Sequence, residues 1–331
     1  MIDIGGDTMS DWKEISLHSI KNVRIGHASD HEHATGCSVL IFPKKGVCGV
    51  DVRGGGPASR ETELLNPLMS NNGIHGLLLG GGSAYGLDAA GGIMKYLEEN
   101  KIGLKVGDAL VPIVVGSCIF DLGCVDSKVR PDANMGYEAC KDSELNIERN
   151  GNVGAGMGAT VGKIRGNERS MKSGLGCYAV EVGRLQVGAI VVVNAIGDVY
   201  EMDSNIPLAG LLNKEKTEII SSEKEAVKLL QLASMLSLNT TIAAIVTNAD
   251  LDKSEMNKVA AMASNGIART IRPVNTSMDG DSVYAVSVGK VKSSADVVGT
   301  IAAHVLAKAI NKAVLETDEI YGYKSAKSFI K

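Results

Sequence analysis

The sequence lacks two features of nucleic-acid-binding proteins, a surplus of basic residues and an abundance of aromatic side chains. Aromatic residues make up only 4% of the chain, and 34 Lys and Arg against 38 Asp and Glu give a formal net charge of −4. A protein of this charge has no surplus of positive charge with which to bind nucleic acid or an anionic membrane non-specifically, and its few aromatic residues offer little for base stacking. Neither nucleic acid nor a membrane is therefore expected as a partner.

The sequence also has no CxxC pair among its six cysteines and no long apolar run. The cysteines lie inside apolar segments, which is typical of buried free thiols in a reducing compartment. The N-terminus is acidic and has no continuous apolar core, so no signal peptide is expected. The sequence has no run of about 18 apolar residues, so no membrane span is predicted. We therefore expect a cytoplasmic protein.

Motifs for a cofactor or a metal are missing as well. The segment LLLGGGSAYG (77–86) lacks the Gly-Lys-Ser/Thr of a phosphate-binding loop. It has Tyr85 where a dinucleotide fingerprint needs its last glycine, and Ser83 does not stand in the Gly-x-Ser-x-Gly of a nucleophile elbow. His31 and His33 indicate a solvated loop, so no metal and no cofactor are expected.

Two interpretations of the glycine turn at 81–83 remain open. Gly81, Gly82 and Ser83 can allow a strand and a helix to pack closely, or their backbone N–H groups at the helix N-terminus can form one wall of a substrate pocket. The Arg-Gly-Gly-Gly-Pro segment at 53–57 leaves a similar choice. It is either a turn or a pocket edge where the backbone comes close to a ligand.

Glycine is what the sequence has in abundance, with 39 residues in a chain of 331, well above the usual ~7%. Apolar and β-branched runs predict strands at 37–42, 47–52, 240–247 and 281–290 and a meander at 176–201. Helical periodicity predicts helices at 214–236, 253–272 and 295–316. Strand groups and helix groups are separated along the chain, which predicts a layered α+β sandwich. No linker or repeat divides it, so we expect a single domain over residues 1–331.

Three charged residues stand in positions suited to a site. Lys163 follows the glycine-rich segment NVGAGMGATVG (152–162), and it is either a surface charge or a cation directed at a buried site. Asp279 and Asp281 stand two apart just before a predicted strand, so their side chains share a face. They are either solvated carboxylates of an Asp-Gly turn or a pair that orients a nucleophile or an amine.

The segment LNTTIAAIVTNADL (238–251) opens a predicted strand with Asn-Thr-Thr. A threonine hydroxyl is a weak nucleophile that needs an adjacent base. If an N→O acyl shift cuts the bond between Asn239 and Thr240, Thr240 becomes an N-terminus, and its own α-amine, with a pKa near ~7.7–8.0, can serve as that base. The alternative is that the two threonines only begin a strand.

Eight segments, in order from about residue 20 to 316, resemble one known family. It is the family of β-peptidyl aminopeptidases and L-aminopeptidase–D-Ala-esterases, which includes the nylon-oligomer (6-aminohexanoate) hydrolases. The segments are VRIGHASDHEHATGCSV, GVDVRGGGPASRETELLNP, LLLGGGSAYGLDAAGGIMKYLEE, RPDANMGYEAC, GNVGAGMGATVGK, VGAIVVVNAIGDV, NTTIAAIVTNA and IRPVNTSMDGD. The tail after Glu316 lies outside the resemblance, as do residues 1–15, which we expect to be flexible.

The resemblance implies an N-terminal-nucleophile hydrolase with a four-layer αββα sandwich. It implies a chain that cuts itself into an α fragment, 1–239, and a β fragment, 240–331, with Thr240 as the nucleophile. The other residues that it implies are Asn194 as an oxyanion donor, Lys163, the pair Asp279 and Asp281, and Tyr137 in the substrate pocket. Peptidyl aminopeptidases have Ser and Glu where this chain has two aspartates, so the chain is more similar to the nylon-oligomer branch. Members are commonly homotetramers, so a homo-oligomer is expected.

Three functions fit these residues. The first is a self-processing N-terminal-threonine amidase or aminopeptidase that hydrolyses small amine-bearing substrates through an acyl-enzyme on Thr240. The others are a non-catalytic small-molecule-binding protein of the same fold and an acyltransferase of similar fold. The nucleophile, the amide donor and the carboxylate pair favour the first. An α-peptide, a β-peptide, a D-amino-acid amide and an ω-amino oligomer all remain open as substrates.

Overall fold

The computed structural model describes residues 12–229 and 239–329. The strands are β1 (Lys13–Ile15), β2 (Arg24–Asp30), β3 (Thr35–Val52), β4 (Ala58–Arg60), β5 (Ile74–Gly80), β6 (Leu104–Val106), β7 (Ala109–Val111), β8 (Val114–Cys118), β9 (Thr160–Val161), β10 (Met171–Lys172), β11 (Leu175–Val182), β12 (Leu185–Asn194), β13 (Asp198–Tyr200), β14 (Pro207–Ala209), β15 (Leu211–Leu212), β16 (Ile219–Ile220), β17 (Thr240–Ala249), β18 (Ile271–Arg272) and β19 (Ser282–Val291). The α-helices are α1 (Ala89–Glu99), α2 (Ala133–Asp142), α3 (Ser222–Leu229), α4 (Lys253–Thr270) and α5 (Ala295–Leu315).

One long strand, β3, belongs to two sheets that face each other. Its second half pairs with β19 in a sheet of order β1-β11-β12-β17-β19-β3, and its first half pairs with β2 and β5 in a sheet that continues to β8 and β4. Residues 43–45 between the halves are exposed, and the pairing with β5 shifts between Ile41 and Gly46. The prediction of separate strands at 37–42 and 47–52 was therefore wrong. The polar interruption marks the place where one strand crosses from sheet to sheet.

Alternate residues along the strands face different cores, and this produces four layers. Leu40 and Leu77 from one sheet meet Ile190 and Ile242 from the other in a core between the sheets. The outer side of the first sheet packs against α4 and α5, and the outer side of the second packs against α1 and α2. The layered α+β sandwich that the sequence predicts, and the αββα order that the family resemblance implies, are thereby confirmed.

Most of the other predicted elements form where the sequence places them, with two differences. The predicted helices at 253–272 and 295–316 correspond to α4 and α5. The predicted helix at 214–236 starts too early, because residues 214–217 form a turn, β16 follows and α3 begins only at Ser222. Its last part, 230–238, lies outside the described residues. Strand β1 pairs with β11, so the predicted flexible tail does not reach residue 15, and residues 1–11 lie outside the described part.

Helix α5 has the length and apolar character of a membrane span, with a mean hydropathy of 1.3. Its apolar window is 78% buried inside the sandwich. Val298, Ile301 and Val305, which helical spacing places on one face, all lie in the core that α5 shares with α4 and the first sheet. The helix is therefore buried in the way that a core helix of the sandwich is.

The strand that begins at Thr240, β17, lies inside the first sheet. It runs antiparallel to β12 and parallel to β19. In the β12 pairing, Asn194 stands directly opposite Thr240. Ile242 belongs to the core between the sheets, and alternate residues of a strand share a face. Thr240 therefore faces the space between the two sheets.

Candidate active site

Thr240, the first residue of β17, is buried with its hydroxyl against the preceding peptide bond. The residue is 4% exposed, and its hydroxyl donates to the carbonyl oxygen of Asn239. The same oxygen accepts the backbone N–H of Gly280 at 2.8 Å. The Asn239 carbonyl oxygen thus accepts two donors, a fixed backbone N–H and the hydroxyl of the next residue, and both polarise the carbonyl group.

Gly280 fits between this pair and the Arg-Gly-Gly-Gly-Pro segment. A Cβ atom on Gly280 would lie 2.9 Å from Thr240 Oγ1 and 2.9 Å from the carbonyl oxygen of Gly56. The N–H of Gly56 donates to the carbonyl oxygen of Asp279 at 2.9 Å, and the N–H of Gly54 donates to that of Asp281 at 3.2 Å. The glycines at 54–56 thus let the backbone of 279–281 approach closely. Sequence reasoning missed Gly280, although its place between two aspartates was the available signal.

The two aspartates are buried, so the alternative of solvated carboxylates in a turn was wrong. Asp279 is 1% exposed and Asp281 is 2% exposed. The Asp281 carboxylate accepts the backbone N–H of Thr241 at 2.5 Å and that of Asn275 at 3.0 Å. The Asp279 carboxylate accepts the N–H and the hydroxyl of Thr276 at 2.9 and 2.6 Å. Asp281 therefore fixes the backbone directly after Thr240.

Burial and mutual repulsion control the protonation of this pair. Burial raises the pKa of Asp281, and the neighbouring Asp279 raises it further, to about 7. Burial also raises the pKa of Asp279, while the bonds from Thr276 and the charge of Lys163 act in the opposite direction. Two carboxyl groups of this kind do not both ionise readily. The pair can hence carry a proton near neutral pH.

Lys163 is a buried cation that holds Asn194. Its Nζ donates to the backbone carbonyl oxygen of Asn194 at 2.8 Å and to Oδ1 of the same residue at 2.7 Å. Burial lowers the pKa of Lys163 to about 7, and the negative charge of Asp279 opposes that shift. The sequence left Lys163 open between a surface charge and a site cation, and its 3% exposure excludes the first.

The Asn194 side chain has a fixed orientation. Its Oδ1 accepts from Lys163 and from the backbone N–H of Thr160 at 3.1 Å. Its Nδ2 donates one hydrogen to the carbonyl oxygen of Phe120 at 2.9 Å. The amide carries a second hydrogen, and the residue stands opposite Thr240 in the sheet. This arrangement suits the predicted oxyanion role, with Phe120 as a partner that sequence reasoning did not supply.

The turn at 81–83 is tied to the same region. Gly82 and Ser83 have φ angles of +79° and +54°. The N–H of Gly82 donates to Oδ1 of Asp121 at 2.6 Å, and the N–H of Ser83 donates to the carbonyl oxygen of Ile119 at 2.9 Å. Residues 119–121 therefore connect the turn to Asn194 through Phe120. Asp121 is a second residue that sequence reasoning missed, because a single Asp after a strand carries no pattern.

Tyr137 is the predicted site residue that the structure does not bring to Thr240. It lies on α2, where its hydroxyl donates to Glu99 at 2.7 Å and its ring contacts that of Tyr96 edge to face at 5.7 Å. Helices α1 and α2 cover the outer side of the second sheet, whereas Thr240 faces the space between the sheets. Tyr137 forms a contact between two outer helices, and the pocket role predicted for it stays a prediction.

Among the described residues, no histidine or cysteine side chain supplies any of the hydrogen bonds given above for this site. Within 12–229 and 239–329, no group of three or more His, Cys, Asp or Glu side chains is arranged to hold a metal ion. His27 bonds through Nδ1 to the Ser38 hydroxyl at 2.8 Å, and His33 pairs with Asp30 at 2.9 Å. All six cysteines are free thiols.

Comparisons with known proteins show which family the chain is similar to. The model of peptidase family S58 matches residues 16–328. An uncharacterised aminopeptidase of Mycobacterium leprae is 37% identical over 341 aligned positions, which cover 93% of this chain and 92% of that protein. A 6-aminohexanoate-oligomer endohydrolase of Paenarthrobacter ureafaciens is 28% identical and covers 92% of this chain and 87% of its own length.

A solved structure shares the fold. The L-aminopeptidase D-Ala-esterase/amidase of Ochrobactrum anthropi, described as a variant of the Ntn hydrolase fold, superposes with a TM-score of 0.69 at 16% identity, covering 92% of this chain and 87% of that one. At this identity the likeness shows the fold. The match of the family model over nearly all of the described residues shows the family. The chain therefore belongs to peptidase family S58 and is a hydrolase that acts on amide bonds.

Proposed function

We propose that the chain is a self-processing N-terminal-threonine amidase or aminopeptidase. In this proposal the chain cuts itself between Asn239 and Thr240, and Thr240 then attacks small amine-bearing amides. The observation that carries the proposal is the contact at the start of β17. There the Thr240 hydroxyl meets the Asn239 carbonyl oxygen, which also accepts the N–H of Gly280.

Self-cleavage follows from this contact as an N→O acyl shift. Thr240 Oγ1 attacks the carbonyl carbon of Asn239, and the negative charge that develops on the oxygen is stabilised by the Gly280 N–H. The C–N bond breaks, the hydroxyl proton ends on the departing Thr240 nitrogen, and an ester remains. Water then hydrolyses the ester, which leaves a carboxylate on Asn239 and a free amine on Thr240. The Asp279 and Asp281 pair, whose pKa values are raised by burial, can relay the proton.

Turnover uses the same groups in a second cycle. The free α-amine, with an ordinary pKa near ~7.7–8.0, takes the proton from the Thr240 hydroxyl as it attacks the substrate carbonyl. The Asn194 amide, oriented by Lys163, donates to the oxyanion. The substrate amine leaves with the proton, and water hydrolyses the acyl-enzyme. No external cofactor is needed to balance these steps.

The names of the relatives narrow the substrate class. An aminopeptidase acts on a peptide with a free amine, and a 6-aminohexanoate-oligomer hydrolase acts on a chain of amides with an amine end. Both substrates are amides of small amine-bearing acids. We propose this class for the present chain, with α-peptides, β-peptides, D-amino-acid amides and ω-amino oligomers as members to be assayed.

Substitution of Thr240 tests the proposal. Thr240→Ala removes the hydroxyl, so self-cleavage and amide hydrolysis should both disappear while the protein folds. Thr240→Ser and Thr240→Cys keep a nucleophile and should still process. N-terminal sequencing of the small wild-type fragment should give Thr-Thr-Ile-Ala-Ala, and activity is measured with an amino-acid p-nitroanilide and a 6-aminohexanoate oligomer.

The matched control is Thr247→Val, because Thr247 lies on the same strand away from its start, where its hydroxyl donates to the carbonyl oxygen of Gln186 at 2.9 Å. This variant should still be cut after Asn239. Wild-type activity in an uncut Thr240→Ala protein would place the nucleophile elsewhere. Accumulation of amide product in the presence of an added acceptor amine would instead favour the acyltransferase.

A further inference from the structure

Asp121 is a buried carboxylate that the steps above do not use. It is 5% exposed and lies just beyond the end of β8. Its Oδ1 accepts the N–H of Gly82 at 2.6 Å, and its Oδ2 accepts the hydroxyl of Thr35 at 2.8 Å. A Cβ on Gly81 would come within 2.1 Å of Oδ2, and one on Gly158 within 2.6 Å of the Asp121 Cβ. The carboxylate is therefore enclosed by backbone, with no space for a substrate group.

The residues next to Asp121 in the chain bond to two parts of the proposed site, the Asn194 amide and the turn at 81–83. The carbonyl oxygen of Phe120 accepts the amide hydrogen of Asn194 at 2.9 Å, so the position of Phe120 determines where the Asn194 amide points. The carbonyl oxygen of Ile119 accepts the N–H of Ser83 at 2.9 Å. The carboxylate of Asp121 fixes this three-residue segment by its bonds to Gly82 and to Thr35 in β3.

Asp121 also acts on the cation that holds Asn194. The titratable groups that influence the pKa of Lys163 are Asp279, Cys124 and Asp121, which raise it, and Lys172, which lowers it in the same direction as the larger effect of burial. Burial raises the pKa of Asp121 itself to about 6, against the bonds from Gly82 and Thr35 and the charge of Lys163. At neutral pH the ionised carboxylate hence helps to keep Lys163 protonated.

We propose that Asp121 is a positioning residue for the reaction, which keeps the turn at 81–83 in place and, through Phe120 and Lys163, orients the Asn194 amide toward Thr240. The proposal rests on the proposed function, because it concerns the same reaction. It adds a residue that the proposed function does not include. Among the hydrogen bonds of the described residues, those of the Asp121 side chain go to Gly82 and Thr35, and none goes to Thr240 or to the peptide bond to be cut.

A structural role alone would give a different result, and Asp198 supplies the comparison. Asp198 is also fully buried, and its carboxylate accepts the N–H of Leu211 at 2.8 Å and the N–H and hydroxyl of Ser222. Burial raises its pKa to about 6 as well. Its charge is not among those that act on Lys163. Asp198→Asn therefore removes an equally buried charge without reaching Asn194 through Lys163.

The test compares Asp121→Asn, Asp198→Asn, wild type and Thr240→Ala as full-length chains made by cell-free translation. Fragment formation is followed on gels between acid and alkaline pH, and thermal melting is measured for each purified protein. In wild type, the rate of self-cleavage should fall as pH rises through the pKa of Lys163, and this fall is the alkaline limb of its pH profile. Asp121→Asn should cleave about tenfold more slowly at neutral pH, less than the hundredfold loss that removal of an oxyanion donor causes. Its alkaline limb should shift to lower pH, because Lys163 loses an attractive charge.

Asp198→Asn should lower the melting temperature without moving the alkaline limb. Equal shifts in both variants, or a wild-type rate and pH profile for Asp121→Asn, would overturn the positioning role. If Asp121→Asn does not fold, Thr35→Val decides in its place, because it removes one bond to the carboxylate and should move the limb in the same direction by less. Failure of the wild-type chain to cleave itself would instead refute the proposed function. The Thr240→Ala chain is the negative control for cleavage.

Discussion

At the scale of single residues, the geometry at the start of β17 depends on the absence of a side chain at residue 280. Gly280 has no Cβ, and this absence lets Thr240 Oγ1 and the carbonyl oxygen of Gly56 both approach its backbone. The same backbone supplies the N–H that polarises the Asn239 carbonyl. Any side chain at this position has to displace either the hydroxyl or the glycine segment.

Gly280→Ala is therefore expected to slow self-cleavage by at least about tenfold, since a misplacement of about 1 Å at a reacting centre costs rate on this scale or more. Pulse labelling followed by gel electrophoresis measures the rate of fragment formation. The control is Gly91→Ala in α1, where the nearest atom to an added Cβ lies 3.9 Å away. The interpretation fails if the two alanine variants are processed at the same rate.

Asp281 gives a prediction on stability and pH. Its pKa is about 7 in the folded chain, raised by burial and by Asp279 from an ordinary value of 3.8. The folded state thus binds more protons than the unfolded state between these values, so this group's contribution to stability is present at low pH and declines as pH rises toward 7. Asp281→Asn removes this titration, and its melting temperature should fall less than that of wild type between pH ~4 and ~7.

The two melting curves are measured in the uncut Thr240→Ala background, so that processing does not differ between the proteins. Asp281→Asn should also reduce cleavage in the Thr240 chain, because the amide group cannot take or give a proton as a carboxyl does. A variant that loses stability in parallel with wild type across the same pH range would show that Asp281 does not titrate there.

The sequence was informative for residues at strand ends and uninformative for their distant partners. Thr240, Asn194 and the two aspartates each begin or end an apolar run, and the sheet brings such ends together. Asp121 and Gly280 act through contacts with segments far away in the chain, such as Thr35 and Gly56. No local periodicity reports such contacts, which depend on the packing of the whole sandwich.

At the scale of elements, β3 shows how a strand break in the sequence can be a change of sheet. Pro43, Lys44 and Lys45 interrupt the apolar pattern, and a local pattern with a polar gap predicts a hairpin. The chain instead stays extended and leaves one sheet for the other. Which of these happens is decided by the partners β19 and β5, which the local sequence does not contain.

The second half of β3 also carries α4, and this contact yields a stability prediction. A Cβ on Gly49 would lie 2.2 Å from the backbone nitrogen of Asn257 and 2.4 Å from the carbonyl carbon of Met256. Because those atoms are helix backbone, they cannot turn aside. Gly49→Ala should lower the free energy of unfolding by about 1–3 kcal/mol or more, measured by urea unfolding. Gly91→Ala, which adds its methyl group in open space, should cause no such loss.

At the scale of the whole molecule, the proposed cut divides the chain without dividing the sheet. Strands β17 and β19 come from the proposed β fragment, and they pair with each other inside the first sheet. On their two sides lie β12 and β3, both from the proposed α fragment. Helix α5 of the β fragment packs on β11 and β12, and α4 packs on β3. Each fragment alone would expose strand edges and an apolar face.

The cut protein should consequently remain one particle. Size-exclusion chromatography in native buffer should elute fragments 1–239 and 240–331 together, at the volume of the uncut Thr240→Ala chain, and the fragments should separate only in concentrated denaturant. The reason is that removing the β fragment breaks two complete strand pairings, with β12 and with β3, and uncovers the cores on both sides of the sheet. The uncut variant is the control for elution volume. Release of a folded small fragment in native buffer would mean that β17 and β19 are not held between strands of the α fragment.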